Sequence, residues 1–215
     1  MPKKSQAAPT NILFIGNSFT ARNKMPDMIA RMAEARGNHL EHQLIQAGGA
    51  SLHMHWNKGE AQQEIQQGRY DFVVLQEQST LPIKNPIRMF ENVRLFDEVI
   101  KASGAKTALY LTWARQNALK TQDAINTAYQ TIGEELGAMV VPVGIAWETV
   151  LHQHSRPVLH DADLSHPTLA GSYLAACVFY VSIFGDLPPG ILDLKGLTAD
   201  DAELIQQTAW TIVKK

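Results

Sequence analysis

The chain has 215 residues, of which 45% are hydrophobic and 19% charged, with a formal net charge of -2. That balance excludes an intrinsically disordered chain, and the scattered Lys and Arg residues form no electrostatic footprint for nucleic acid or an anionic membrane. The single cysteine, Cys177, excludes an internal disulfide framework and makes a cysteine-based zinc site implausible, so stability has to come from packing.

Residues 1–10 are polar and lack the apolar core of about 7–15 residues that a secretory signal needs, so a flexible lead segment and a cytoplasmic location are expected. Residues 11–215 then read as one domain. Near-continuous apolar runs at 11–15, 71–75, 107–111 and 138–143 predict strands covered on both faces, as in a parallel sheet. A more polar run at 39–45 predicts a further strand, at an edge. Between the strands, helical spacing or length marks 25–36, 60–67, 86–102, 121–136 and 145–152. The first of these carries Pro26 near its start and Gly37 just past its end, the usual asymmetry of a helix. Strand and helix thus alternate as in a three-layer, doubly wound α/β domain with right-handed crossovers. Beyond the last strand come a loop at 153–165, an apolar helix at 167–184, the connector Leu187-Pro188-Pro189-Gly190, and a helix at 199–213 opened by a Thr198/Asp201 capping box. The most apolar stretch, 174–184, is far shorter than the roughly 20 residues a membrane span requires.

Open α/β sheets bind ligands at the carboxyl ends of their strands, so reactive residues are sought in the loops there. The first such loop, Gly16-Asn17-Ser18-Phe19-Thr20, can present the Ser18 hydroxyl as a nucleophile, with turn amides near a helix N-terminus to hold an oxyanion. The same residues also suit a helix N-cap or a phosphate-cradling turn. A serine nucleophile needs a base, and Asp163-Leu164-Ser165-His166-Pro167 supplies a histidine with a carboxylate three residues before it. On a turn leading into a helix, the Asp163 carboxylate can hold the imidazole in the tautomer that accepts the serine proton.

Taken together, Gly16-Asn17-Ser18 directly after the first strand and Asp163-x-x-His166 near the C-terminus resemble the SGNH hydrolases, or GDSL-like esterases and lipases, over nearly the whole chain. The resemblance implies a flavodoxin-like α/β/α sandwich with a five-stranded parallel sheet of order 2-1-3-4-5. It also implies a Ser18-His166-Asp163 triad that hydrolyses esters through an acyl-enzyme, without metal or organic cofactor. The family's oxyanion glycine after the second strand matches Gln46-Ala47-Gly48-Gly49-Ala50-Ser51, where either glycine fits and Gly49 is preferred as one step further into the loop. The third motif departs from the common Gly-x-Asn-Asp and reads Leu75-Gln76-Glu77-Gln78, which puts Gln78 in the place of the asparagine donor and Gln76 in space a glycine leaves open. A glutamine keeps the amide N–H donors but adds one torsion.

Other residues divide between chemistry and packing. His53, His55, His152, His154 and His160 have no associated Cys or acidic cluster, so surface or supporting roles are expected and no metal site. Trp56, Trp113 and Arg115 are candidates for a substrate rim, Trp113 at the end of the fourth strand suiting a rim or the core equally, while Trp147 is expected in the core and Cys177 as a buried, inert thiol. Glu77 is given no catalytic role beyond orienting a loop amide or repelling anionic substrates. With no lid-sized insertion, the expected substrate is a small ester, acetylated sugars first. The rival readings are a flavodoxin-like phosphate or flavin binder and a catalytically silent carbohydrate-binding relative.

Overall fold

The computed structural model describes residues 8–190 and 196–215. Five strands, β1 (Thr10–Gly16), β2 (Leu40–Gln46), β3 (Phe72–Leu75), β4 (Lys106–Tyr110) and β5 (Met139–Val141), form one all-parallel sheet in the order β2-β1-β3-β4-β5. Among the described residues ten α-helices accompany them: α1 (Ser18–Ala21), α2 (Met25–Ala35), α3 (Leu52–Lys58), α4 (Glu60–Gln67), α5 (Leu81–Lys84), α6 (Pro86–Ala102), α7 (Gln122–Leu136), α8 (Val143–Gln153), α9 (Leu169–Phe184) and α10 (Ala199–Val213).

The apolar runs are continuous because both faces of each strand are buried. Ile12 and Phe14 of β1, Val74 of β3 and Tyr110 of β4 enter a core shared with α2, α8, α9 and α10. Their neighbours Leu13, Ile15, Val73, Leu75 and Leu109 enter a second core with α3, α4, α6 and α7. Each such side chain, fully buried, contributes about 1.5–3 kcal/mol. Helix α9 is buried from Ala170 to Val181 and packs against α2, α8 and α10, which is why it shows no polar face. No helix among the described residues is long and apolar enough to cross a membrane. Cys177 lies inside α9, where burial pushes its thiol up.

Several boundaries move for local reasons. Of the lead segment 1–10, residues 1–7 lie outside the described residues, and Thr10 already belongs to β1, donating its N–H to His39 O at 2.9 Å. Strand β5 stops at Val141 because Pro142, with no N–H to give a ladder, serves as the N-cap of α8, so Val143 is helical rather than extended. Helix α9 begins at Leu169, two residues later than expected. Thr168 caps it by accepting from Gly171 N at 3.2 Å, and Pro167 instead forms an antiparallel bridge with His160. The expected cap of α10 is present, Thr198 Oγ1 accepting from Asp201 N at 3.1 Å. Three short helices, α1, α3 and α5, have no counterpart among the sequence predictions; Ser51 caps α3 through Met54 N.

Candidate active site

The order β2-β1-β3 sets the loop after β1 between the loops after β2 and β3, and the nucleophile candidate sits in that middle loop. Strand β1 ends at Gly16, where a Cβ would stand 2.7 Å from Gln76 Oε1 and 2.9 Å from Thr20 Oγ1; only glycine admits the turn so close to β3. Asn17 is the N-cap of α1, its Oδ1 accepting from Phe19 N at 3.0 Å and its Nδ2 donating to Ala50 O at 2.9 Å. Capping therefore falls to Asn17, and the Ser18 hydroxyl is left for another partner. That partner is His166: Ser18 Oγ lies 2.8 Å from Nε2, and His166 Nδ1 lies 2.5 Å from Asp163 Oδ2. The three side chains predicted from opposite ends of the chain stand in one hydrogen-bonded line.

The loop that carries His166 is built around Asp163. Its Oδ1 accepts from Ser165 N at 3.0 Å and from His166 N at 2.8 Å, leaving Oδ2 for the imidazole. The His166 backbone N–H above all, and its ring beside it, hold the Asp163 carboxyl well below the usual carboxylate range. To close this turn Leu164 adopts φ 63°, a strained conformation for a branched side chain. The loop is gripped from both sides. Arg22 Nη1 pairs with Asp161 Oδ2 at 2.6 Å, and Asn23 Nδ2 donates to Thr168 O at 3.0 Å and Ser172 Oγ at 2.9 Å. From the β4 side, Gln116 N donates to Leu164 O at 2.8 Å and Trp113 Nε1 to Ser165 O at 3.0 Å.

Around Ser18 the amides are almost all engaged. Asn17 N donates to Gln76 Oε1 at 2.9 Å, Phe19 N to Asn17 Oδ1, and Thr20 N and Ala21 N to Asn17 O. Ser18 N is the one amide of the turn without an acceptor among the described residues. A phosphate cradle needs several free N–H groups at once, so this turn suits a single oxyanion oxygen better than a phosphate. In the β2 loop, Ala50 N closes a turn on Ala47 O at 3.1 Å with Gly49 at φ 66°, which a glycine adopts without strain. The N–H groups of Gly48 and Gly49 both lack an acceptor among the described residues, so the turn is compatible with either donor. In the β3 loop, Gln78 Oε1 accepts from Thr80 N and Thr80 Oγ1, each at 2.9 Å, which fixes the amide with its NH₂ end turned away from Thr80.

Two residues of the third motif, Gln76 and Glu77, carry structural roles here. Gln76, fully buried, accepts from Asn17 N and from Thr20 Oγ1 at 3.1 Å, so it ties the nucleophile turn to β3 rather than merely filling space. Glu77 is equally buried and accepts from the Gln78 backbone, orienting that loop amide as expected.

Of the two readings of Trp113, rim and core, the rim is corrected and the core stands. The side chain is 1% exposed, stacked between Phe19 at 4.7 Å and Trp147 at 3.9 Å, because the chain after β4 turns inward over the core. Its work is to hold the nucleophile helix and the Ser165 carbonyl together. Trp113→Ala should therefore cost about 3–5 kcal/mol of stability; a urea midpoint close to wild type would refute that. Arg115 remains exposed, Trp147 lies in the core as expected, and Trp56 packs edge-on against Phe96 at 5.2 Å. His55 and His160 are buried rather than at the surface, each bonding one carbonyl through Nε2, Gly16 O at 2.8 Å and Ala114 O at 2.9 Å. Burial lowers both pKa values and keeps the rings neutral at neutral pH. No group of three His, Cys, Asp or Glu among the described residues is arranged to hold a metal ion.

No family model matches the chain, and no curated protein does. Solved structures do. An SGNH hydrolase candidate from Slackia heliotrinireducens is 30% identical, with 82% of this chain and 100% of that one covered at a TM-score of 0.72. A DUF4886 family protein from Bacteroides uniformis is 17% identical over 96% of this chain and 95% of its own, TM-score 0.71. A variant of an acetyl xylan esterase from Geobacillus stearothermophilus is 16% identical over 84% and 97%, TM-score 0.62. The last two share the fold. With the first similarity added to the sheet order and the arrangement around Ser18, the chain belongs to the SGNH hydrolases.

Proposed function

We propose that the protein is a serine ester hydrolase acting on small carboxylic esters through Ser18, His166 and Asp163. The observation that carries this reading is the relay itself, Ser18 Oγ to His166 Nε2 at 2.8 Å and His166 Nδ1 to Asp163 Oδ2 at 2.5 Å, within reach for proton transfer. His166 Nε2 takes the Ser18 proton as Oγ attacks the ester carbonyl carbon, and ionised Asp163 stabilises the imidazolium. The oxyanion is held by the Ser18 N–H, the Gly49 N–H or its neighbour Gly48, and the Gln78 NH₂. Collapse breaks the C–O bond to the alcohol, which leaves with the proton from His166 Nε2, and Ser18 is acylated. Water, deprotonated by His166, then attacks the acyl carbon; release of the carboxylic acid returns the proton to Ser18 Oγ. No metal or organic cofactor takes part in these steps.

Acetylated carbohydrate is the first substrate to try, supported by the shared fold with an acetyl xylan esterase. The aromatic argument for sugar falls with the burial of Trp113, and Arg115 is the rim candidate that stays exposed. The test is an alkyl phosphonate ester. It should add one phosphonyl group to the intact protein by mass spectrometry, mapped to Ser18; labelling elsewhere, or none, would defeat the reading.

A further inference from the structure

Glu77 is a carboxylate with 0% exposure and no Lys or Arg partner among the described residues. Burial raises its pKa, and hydrogen bonds to the ionised form offset this only in part. A hydrophobic side chain would fill the same space without the desolvation cost, so its presence calls for a reason in what it holds. Its Oε1 accepts from Leu52 N at 3.0 Å and from Gln78 N at 2.7 Å, and its Oε2 accepts from Asn92 Nδ2 at 3.1 Å. Leu52 opens α3 directly after the glycine turn; Gln78 lies in the loop after β3, its side-chain Oε1 taken by Thr80; Asn92 belongs to α6. One oxygen thus bridges the backbones of two loops, and the other anchors the carboxylate to a helix. The remaining titratable neighbour that senses its charge is the buried Tyr129 hydroxyl of α7.

We propose that Glu77 is a positioning residue that sets the spacing between the loop after β2 and the loop after β3, and so places the Gly48–Gly49 N–H groups and the Gln78 amide on the same oxyanion. The proposal rests on the ester hydrolase reading. Donors aimed at an oxyanion act in the transition state and lose force with small displacements. Loss of Glu77 should therefore lower kcat and leave substrate binding nearly unchanged.

Steady-state hydrolysis of an aryl acetate by wild type, Ser18→Ala, Glu77→Met and Glu77→Gln tests it, with circular dichroism to verify folding. Glu77→Met keeps the volume but removes both acceptors; kcat should fall about 10²-fold while KM changes less than about threefold. Glu77→Gln keeps one acceptor oxygen for Leu52 and Gln78, its NH₂ meeting a flipped Asn92 amide, and should recover kcat to within about tenfold of wild type. Should Glu77→Met not fold, Glu77→Asp withdraws the acceptor by one methylene at unchanged charge and carries the same expectation of reduced kcat at constant KM. Wild-type kcat in whichever of these two variants folds, or equal losses in Glu77→Met and Glu77→Gln, overturns the proposal. An inactive wild type indistinguishable from Ser18→Ala would instead sink the hydrolase reading beneath it.

Discussion

Ser18→Ala is expected to lower kcat for a short acyl ester by at least about 10³-fold with the fold intact. The hydroxyl makes one hydrogen bond, to His166 Nε2, and the turn that holds it is secured by other groups, the Asn17 cap and the Gln76 acceptor. Removing the oxygen leaves these bonds in place, so the melting temperature should move little while the nucleophile is gone. The oxyanion donors survive in the variant, and whatever rate they support with water as nucleophile remains. Because Ser18 and His166 act as a unit, adding His166→Ala should cost little more. Initial rates with an aryl acetate, for the two single variants and the double, decide the matter. A single variant close to wild type, or multiplicative losses, would show that the two residues do not share a step.

Asp163→Asn should lower kcat by about 10³–10⁴-fold, more than its exposed position suggests. An asparagine can keep the Oδ1 acceptor for Ser165 N and His166 N, so the turn persists. Its NH₂ then faces His166 Nδ1, which must become an acceptor, and the ring proton moves to Nε2. In that tautomer Nε2 cannot take the Ser18 proton. The stability consequence has a definite sign. The folded-state pKa of Asp163 is depressed, so its contribution is present above the unfolded value of about 3.9 and is lost as pH falls through the folded one. The stability gap between wild type and Asp163→Asn should therefore be steady above about pH 5 and shrink below about pH 4. With the side chain 44% exposed, solvent screening keeps that gap small. Urea titrations at several pH values measure it, and a gap that widens in acid would contradict the assignment.

Most of the elements and the candidate relay were legible in the chain because their signals are local. Continuous apolar runs, Gly16-Asn17-Ser18 after one of them, and an aspartate three residues before a histidine can be read without knowing what they touch. Trp113 was not legible in the same way. An aromatic residue at a strand end serves a rim or a core equally well, and what buries it are Phe19 and Trp147, distant in sequence. Glu77 hid for a related reason, since a charged residue in a polar loop sequence gives no sign of full burial. The clamp of Arg22 and Asn23 on the loop carrying Asp163 and His166 left no sequence signal, because it pairs ordinary polar residues across the molecule.

The sequence by itself determined the parallel α/β class and, through two short motifs, pointed to Ser18, His166 and Asp163 as the proposed nucleophile, base and carboxylate. Each rests on spacing along the chain, which covalent connectivity preserves into the folded state. Only the tertiary structure decided which polar groups were left over. Asn17 takes the cap, Gln76 and Glu77 take the loop amides, and Thr80 takes the Gln78 carbonyl, so the donors without an acceptor among the described residues include Ser18 N, the Gly48 and Gly49 amides and the Gln78 NH₂. Buried hydrogen-bonding groups find partners wherever the fold offers them, and which remain for a substrate emerges only when all the loops are in place.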